Sequence, residues 1–524
     1  MDFNKQLVVK KNLHSTCFRF LLRYLGMAIV PKYKISKIII VSFAVFLFIT
    51  LATAFFLFSR DNFKTGIMLL VLPFVVILLS LILSKPILGF KVLFFANFFA
   101  LGISRYIPGP LGLSVDALLT LTWLAVVFSQ FNKKVEWRRA NSILTLLAFI
   151  WFSYALFQLV NPESVSKEAW FYAMRGVSMY FFLTVPLVFI IFNKPENLNW
   201  MLKFWAWFTL LAVAKGVQQF VIGVDPWEKY WLDTVGGKTH LLAQGLRVFS
   251  FFSDAASYGG SMGFSAVVFG IVGLNEKSIK KRYFWYLVSG AALFGMLISG
   301  TRGAIAVPFG GIAMYALLSK KIKLMAIGGF IVIGIYIFLR FTTVGESVYL
   351  IRRFREATDP NNPSLMVRKE NQAKLSIYLS SRPFGGGIGS AGNWGLRFSP
   401  GTFLAETPTD SWYVQIWAEQ GMVGLALHLF ILIFIVGKSA YIIMFKLRSK
   451  EFIGKGAALT SGIVGIMLAS YGSGALGQMP NGIIIYMSMT FIFMMPRWEK
   501  DEQEIANGSL IEDFRDVENP KTMH

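Results

Sequence analysis

The chain has 524 residues, 55% of them hydrophobic and only 15% charged, with a net charge of +23 and a mean hydropathy of +0.58. A soluble protein carries about 25% charged residues, so an ordinary soluble enzyme, a disordered chain and a fibrous repeat are excluded. The single cysteine, Cys17, excludes a disulfide framework and Cys-based metal sites. Lys and Arg are not gathered on one face but lie in short clusters between apolar runs, so no nucleic acid is expected as a partner.

Residues 1–37 form a basic arm in which Phe18, Phe20, Leu21, Leu22 and Leu25 interleave with Arg19 and Arg23. That pattern suits a segment lying on a membrane surface, and a solvated arm fits it equally. From residue 38 onward, apolar runs recur, and a membrane core takes about 20 apolar residues per helix. Candidate spans are 38–58, 66–83, 87–103, 111–128, 142–159, 175–192, 201–222, 256–274, 283–298, 304–318, 324–341, 423–441, 457–471 and 483–495. The first is too long, and too far from the start, for a cleaved signal peptide. The expected fold class is therefore all-α, a polytopic transmembrane helix bundle of about 12–14 spans.

The short loops holding Lys133-Lys134, Arg138-Arg139, Lys280-Lys281-Arg282, Lys320-Lys321 with Lys323, and Lys446, Arg448 and Lys450 fall on one side. The positive-inside bias makes that side cytoplasmic, together with both termini. The expected organisation is the arm 1–37, a transmembrane domain 38–498, and a polar, disordered tail 499–524. Two long loops, 223–255 and 342–412, fall on the outer side, and loops of that length are usually functional.

Four arginines lie on the outer side or in outer helix ends, against the positive-inside bias: Arg175, which opens a span, Arg247, Arg302 and Arg368. Arginine keeps its proton and grips phosphate by paired hydrogen bonds. Snorkelling or structural pairing is the competing reading, strongest for Arg175 and weakest for Arg302 in its glycine-flanked turn. The segment Pro383-Phe384-Gly385-Gly386-Gly387-Ile388-Gly389 is neither a P-loop nor a dinucleotide fingerprint. Gly385, Gly387 and Gly389 supply either turn chemistry or a backbone surface for substrate. Asp410 stands where a loop turns into a helix, as an N-terminal-turn acid or as a carboxylate that takes a proton from a hydroxyl. Lys215, Gln218 and Gln219 are polar for membrane depth, and His428 is expected to be packed in a span. No paired acidic motif suited to a divalent metal stands on the outer side, so the chemistry is expected to need neither metal nor cofactor.

In order and spacing, Ser299-Gly300-Thr301-Arg302-Gly303, Arg368, the 383–389 segment and 410–425 resemble the O-antigen ligase and O-antigen polymerase superfamily of bacterial membrane glycosyltransferases. The segment beginning Arg247-Val248-Phe249-Ser250 is similar to that family's Arg-led outer-loop segment, so the resemblance covers about 245–425. It implies a metal-independent inverting glycosyltransferase of the bacterial inner membrane. The donor would be a glycan on undecaprenyl pyrophosphate presented at the periplasmic face, and the acceptor a glycan or lipid. Arg302 and Arg368 carry over as pyrophosphate-binding residues, with Arg247 a weaker third and Arg175 added from its position. Many members, ligases especially, have a His-Asn pair where this chain has Asp410-Ser411. Asp410 would then replace the histidine as catalytic base, with His240 and Glu406 in reserve. The difference favours a polymerase of O-antigen or exopolysaccharide repeats, for which a chain-length regulator protein is a candidate partner. A ligase acting on lipid A core or protein is the alternative, and a transporter or flippase the reading from another class.

Overall fold

The computed structural model describes residues 37–59, 63–107, 109, 111–132, 135–242, 245–320, 322–347, 351–352, 355–356 and 362–506. The expected surface arm, the end of the tail, and Lys133, Lys134 and Lys321 of the basic loops lie outside the described residues. Helix Lys37–Ser59 and most of Phe63–Ser84 form one compact unit, and the chain from Ile82 forms another. Every apolar run found in the sequence falls on a helix. Among the described residues, nine helices are long and apolar enough to cross a membrane. Counting Glu196–Val221 and Pro226–Gly236, bent by 76°, as one span makes ten. Charge explains part of the shortfall from fourteen. Ile279–Ile298 opens on Lys280, Lys281 and Arg282, and the apolar stretch of Asn481–Ala506 starts on Asn481 and ends on Pro496 and Arg497. The chain is thus an all-α, multi-pass membrane protein. Its strands among the described residues are one antiparallel pair, Leu241–Leu242 with Gly245–Leu246.

Ala255–Asn275 is the centre of the second unit, with 89% of its apolar window buried. Its glycines let neighbouring helices approach, as small residues do in membranes where no hydrophobic force draws helices together. Gly263 lies against Val307 and Met296, and Val267 against Gly311. On the facing helix Lys450–Ala469, Gly462 receives Phe264, and Gly465 lies under the backbone of Val307. The packing joins Ala255–Asn275 to Ile279–Ile298, Ala306–Ser319 and Lys450–Ala469.

Two elements differ from their sequence expectation. The span expected to open at Arg175 begins at Lys167, where the Ser166 hydroxyl accepts from Ala169 N at 3.1 Å. Arg175 therefore starts a π turn, Arg175–Met179, inside a helical run that continues to Ile191. The span expected from 423 begins at Trp412 and is broken at Gly421, whose φ of 69° and ψ of −171° are open only to glycine. The glycine-rich segment fills that break. Gly386 N donates to Ala418 O (3.0 Å), Gly387 N to Glu419 O (2.8 Å), and Val423 N to Pro383 O (3.2 Å). The Tyr154 hydroxyl donates to Gln420 O at 2.9 Å. Gly385 lies directly on the backbone of Gln420 and Gly421, leaving no room for a side chain.

Gly421→Ala should lower stability by roughly 2–4 kcal/mol, through the left-handed backbone and the collision with Pro383 and Gly385. Gly437→Ala, in the same helix with open space around it, should be neutral or stabilising by up to about 1 kcal/mol. Thermal melts of the two purified variants check the contrast.

Candidate functional site

The N-terminal ends of Ala255–Asn275, Ala306–Ser319 and Trp412–Tyr441 meet the C-terminal ends of Ile279–Ile298 and Lys450–Ala469 at one end of the bundle. Three helix N-termini with their partial positive charge converge there. The turn after Ala469 holds the place together. Trp412 N donates to Ser470 O (3.0 Å) and to Ser473 O (3.2 Å). The Ser411 hydroxyl donates to Ser470 O at 3.3 Å, and the Tyr413 hydroxyl to Met467 O at 2.8 Å. Trp412 Nε1 donates to His428 Nε2 at 3.0 Å, which makes His428 a buried packing partner as expected. Asp410, one residue before this anchor, has φ of 49°, and Ser411 N bonds back to Thr409 O at 2.5 Å. An aspartate tolerates the left-handed region better than most residues, yet such a conformation is held only where its surroundings impose it.

The turn brings Arg368 beside Asp410, Gly303 sets Arg302 next to it, and Arg247 bonds the neighbouring Thr301. Arg368, on helix Pro363–Leu379, reaches Asp410 Oδ2 at 3.5 Å through Nε and Gly472 O at 3.4 Å through NH2. Asn371, one helical turn on, donates to Pro408 O at 3.4 Å. Gly303, next to Arg302, packs on Ala469 and Gly472. Arg302 NH1 pairs with Glu356 Oε2 at 3.4 Å. Arg247 NH2 donates at 3.1 Å to the Thr301 hydroxyl, which donates to Ala255 O at 2.9 Å. These pairs are long and wet: the Arg368 and Asp410 side chains are 38% and 48% exposed, those of Arg302 and Glu356 23% and 35%. Ion pairs of that kind are worth about 0–1 kcal/mol, so an incoming anion can displace the carboxylates at little cost.

Arg175 is held differently. NH1 meets Asp116 Oδ2 at 2.5 Å, with side chains only 13% and 19% exposed, and the Tyr180 hydroxyl donates to Asp116 Oδ1 at 2.7 Å. Its neighbour Gly176 borders the backbone of Gly477, beyond the same turn, but the guanidinium is engaged by Asp116. Gly385, Gly387 and Gly389 are buried against Gly421, Ser164 and Ala169 respectively. Glu406 caps the loop by accepting from Gly401 N at 3.1 Å.

The segment carrying Arg247 is fixed from below. Gln219 Oε1 accepts from Phe249 N (3.2 Å) and Ser250 N (2.8 Å), while its Nε2 donates to Glu228 Oε1 at 2.7 Å. Lys215 pairs with Asp225 at 3.0 Å and Glu228 at 3.1 Å. Arg105 donates to Ser250 O at 2.8 Å and to Phe252 O, with Trp231 and Phe249 against its guanidinium plane. Burial pulls Arg105 down to about 10, still cationic at neutral pH, and burial with the Asp225 hydrogen bond pushes Tyr106 up to about 12. The polar residues at 215–219 therefore pin the segment that carries Arg247. His240, buried between Trp231 and Phe249, donates through Nδ1 to Gly236 O at 2.8 Å, and burial lowers its pKa.

Sequence reasoning missed the turn at 470–473, Glu356 and Asn371. Ser470-Tyr471-Gly472-Ser473-Gly474 is a Ser- and Gly-rich break between two apolar runs, which is the signal that marks a turn there.

The fold defines a multi-pass membrane protein, with Arg247, Arg302 and Arg368 near one end of its helix bundle. Residues 260–429 match the family model described as O-Antigen ligase, which supports the resemblance of this segment to the O-antigen ligase and polymerase superfamily. The matched segment contains Arg302, Arg368, Asp410 and the glycine-rich segment. No curated protein sequence matches the chain.

Arg175→Ala should destabilise by about 3 kcal/mol because it strands a mostly buried Asp116, and Arg175→Met with Asp116→Leu should recover much of that loss. Denaturation of the single and double variants tests it. Because folded His240 resists protonation, the unfolded chain takes up the proton first, and stability falls as pH drops through about 6.5. Melting midpoints at pH 7.5 and 5.5 should differ more for the wild type than for His240→Gln.

Proposed function

We propose that the chain is a polymerase of O-antigen or exopolysaccharide repeats, acting at the periplasmic face of a bacterial inner membrane. The observation that carries this reading is the convergence of Arg302, Arg368 and Asp410 about the 470–473 turn, each arginine held by a long, partly exposed ion pair. The donor is a glycan on undecaprenyl pyrophosphate. Its pyrophosphate takes Arg302 and Arg368 from Glu356 and Asp410, and Arg247 adds charge beside Thr301. Asp410, released from Arg368, accepts the proton of the acceptor sugar hydroxyl. The hydroxyl oxygen attacks the anomeric carbon with inversion as the bond to phosphate breaks, and lipid pyrophosphate leaves with its charge on the arginines. No metal takes part. The 383–389 segment supports the reaction by seating the helix that begins just after Asp410.

A ligase is the second reading, favoured by the description of the matched family model. It shares the donor and differs in the acceptor.

Deletion of the gene in its host, followed by gel analysis of the surface glycan, separates the two. A lost polymerase leaves single repeats attached, and a lost ligase leaves lipid-linked polymer unattached. Arg302→Ala, Arg368→Ala and Asp410→Asn should each slow transfer by roughly 10²–10³-fold without loss of inserted protein. Transfer by the purified enzyme should be unchanged by EDTA. Normal glycan from an Arg302→Ala strain would refute the assignment.

A further inference from the structure

The opposite end of the same helices carries a second cationic feature. A cleft of about 220 Å³ opens between the N-terminal ends of Glu196–Val221, Ile279–Ile298 and Lys450–Ala469 and the C-terminal end of Ala255–Asn275. A single water needs only roughly 10–15 Å³ of such space, so the cleft has room for a polyatomic group. Helices of about 20 residues rise about 30 Å, which separates this cleft from the arginines by the length of a span.

Five lysines line it: Lys203, Lys277, Lys281, Lys450 and Lys455. The carboxylates in its wall are Glu276 and Glu451. Lys455 is satisfied by an ion pair with Glu451 and a 2.6 Å hydrogen bond to Asn199 Oδ1. Glu276 spends Oε1 on Ser278 N at 3.1 Å. Among the described residues, Lys203, Lys277, Lys281 and Lys450 make no ion pair within 4.0 Å. The indole N–H of Trp285, a lining residue only 6% exposed, has no acceptor among the described residues. Three helix N-termini add partial positive charge from the backbone, which the C-terminal end of Ala255–Asn275 offsets in part. Five lysines against the two lining carboxylates leave the lining net positive, with Glu196, Glu499 and Glu502 grouped with Glu451 beyond it, and such a lining is complementary to an anion with several oxygens.

We infer that this lysine cleft binds a phosphate group, either the headgroup phosphate of an anionic membrane lipid or a free phosphate compound. Lysine ammonium groups at helix ends attract such groups, and basic pockets between transmembrane helices hold lipid phosphates. The site is separate from the proposed transfer reaction and does not depend on it.

The test is native mass spectrometry of the full-length protein in detergent, titrated with phosphatidylglycerol, with phosphatidylcholine and with inorganic phosphate. The wild type should retain phosphatidylglycerol over phosphatidylcholine. Each of Lys203→Gln and Lys450→Gln should weaken binding by about fivefold, and the Lys203→Gln/Lys281→Gln/Lys450→Gln variant by on the order of 100-fold. The control Arg138→Gln/Lys280→Gln/Lys446→Gln removes as many positive charges outside the cleft and should leave binding unchanged. Binding of inorganic phosphate without preference for the anionic lipid, lost in the cleft variant, assigns the site to a free phosphate compound. Equal binding by cleft and control variants, or no binding by the wild type, overturns the inference. If the triple variant does not fold, the two single variants decide the question.

Discussion

Backbone amides and carbonyls in a bilayer have no water to turn to, so each must find a partner within the protein. The helix that begins at Trp412 breaks this economy at Gly421, where the chain leaves helical geometry inside an apolar run. The freed carbonyls of Ala418, Glu419 and Gln420 and the freed N–H of Val423 are all taken up, mainly by the glycine-rich segment. Gln158 and Asn161 satisfy that segment's other face by donating to the Phe384 and Gly385 carbonyls at 3.1–3.2 Å. The first part of the helix can thus take its own direction, and its N-terminal residues are tied to the Ser470 turn. Asp410 owes its left-handed backbone and its place beside Arg368 to that chain of constraints.

The strength of each ion pair separates structural charges from available ones. Lys215 with Asp225 and Glu228, and Arg175 with Asp116, are short and mostly buried, and removing one partner would leave a desolvated charge. The pairs of Arg302 with Glu356 and Arg368 with Asp410 are longer and more exposed. Their carboxylates keep the arginines solvated and oriented without holding them firmly. In the proposed reaction this is what lets a pyrophosphate enter while the acid it displaces remains nearby as base.

The network beneath residues 247–254 shows how polar residues inside the bundle serve the segment that joins two helices. Gln219 replaces a β-partner for two backbone amides, Ser250 turns with a φ of 50°, and Arg105 gathers the carbonyls that follow. The segment then enters Ala255–Asn275 through Asp254, which accepts from Ser257 N at 2.8 Å. Arg247 is carried to Thr301, the residue before Arg302, by this scaffold.

Hydropathy by itself determined the all-α, multi-pass architecture, because only continuous apolar helices satisfy the backbone in lipid and each such run is visible in one dimension. Composition and motif order were also enough to single out Arg247, Arg302, Arg368 and Asp410, since arginines against the charge bias and an acid at a helix start stand out locally. Local pattern did not reveal that Arg175 would pair with Asp116, 59 residues away, or that Gly385, Gly386 and Gly387 would serve the break at Gly421. The break at 470–474 is visible as a turn, but nothing local marked it as the meeting point, because its contacts to Trp412, Ser411 and Arg368 are made through backbone carbonyls that carry no side-chain signature. Those outcomes depend on which helix ends the packing of Ala255–Asn275, Ala306–Ser319 and Lys450–Ala469 brings together, and that is decided only when the small faces of those helices close on one another.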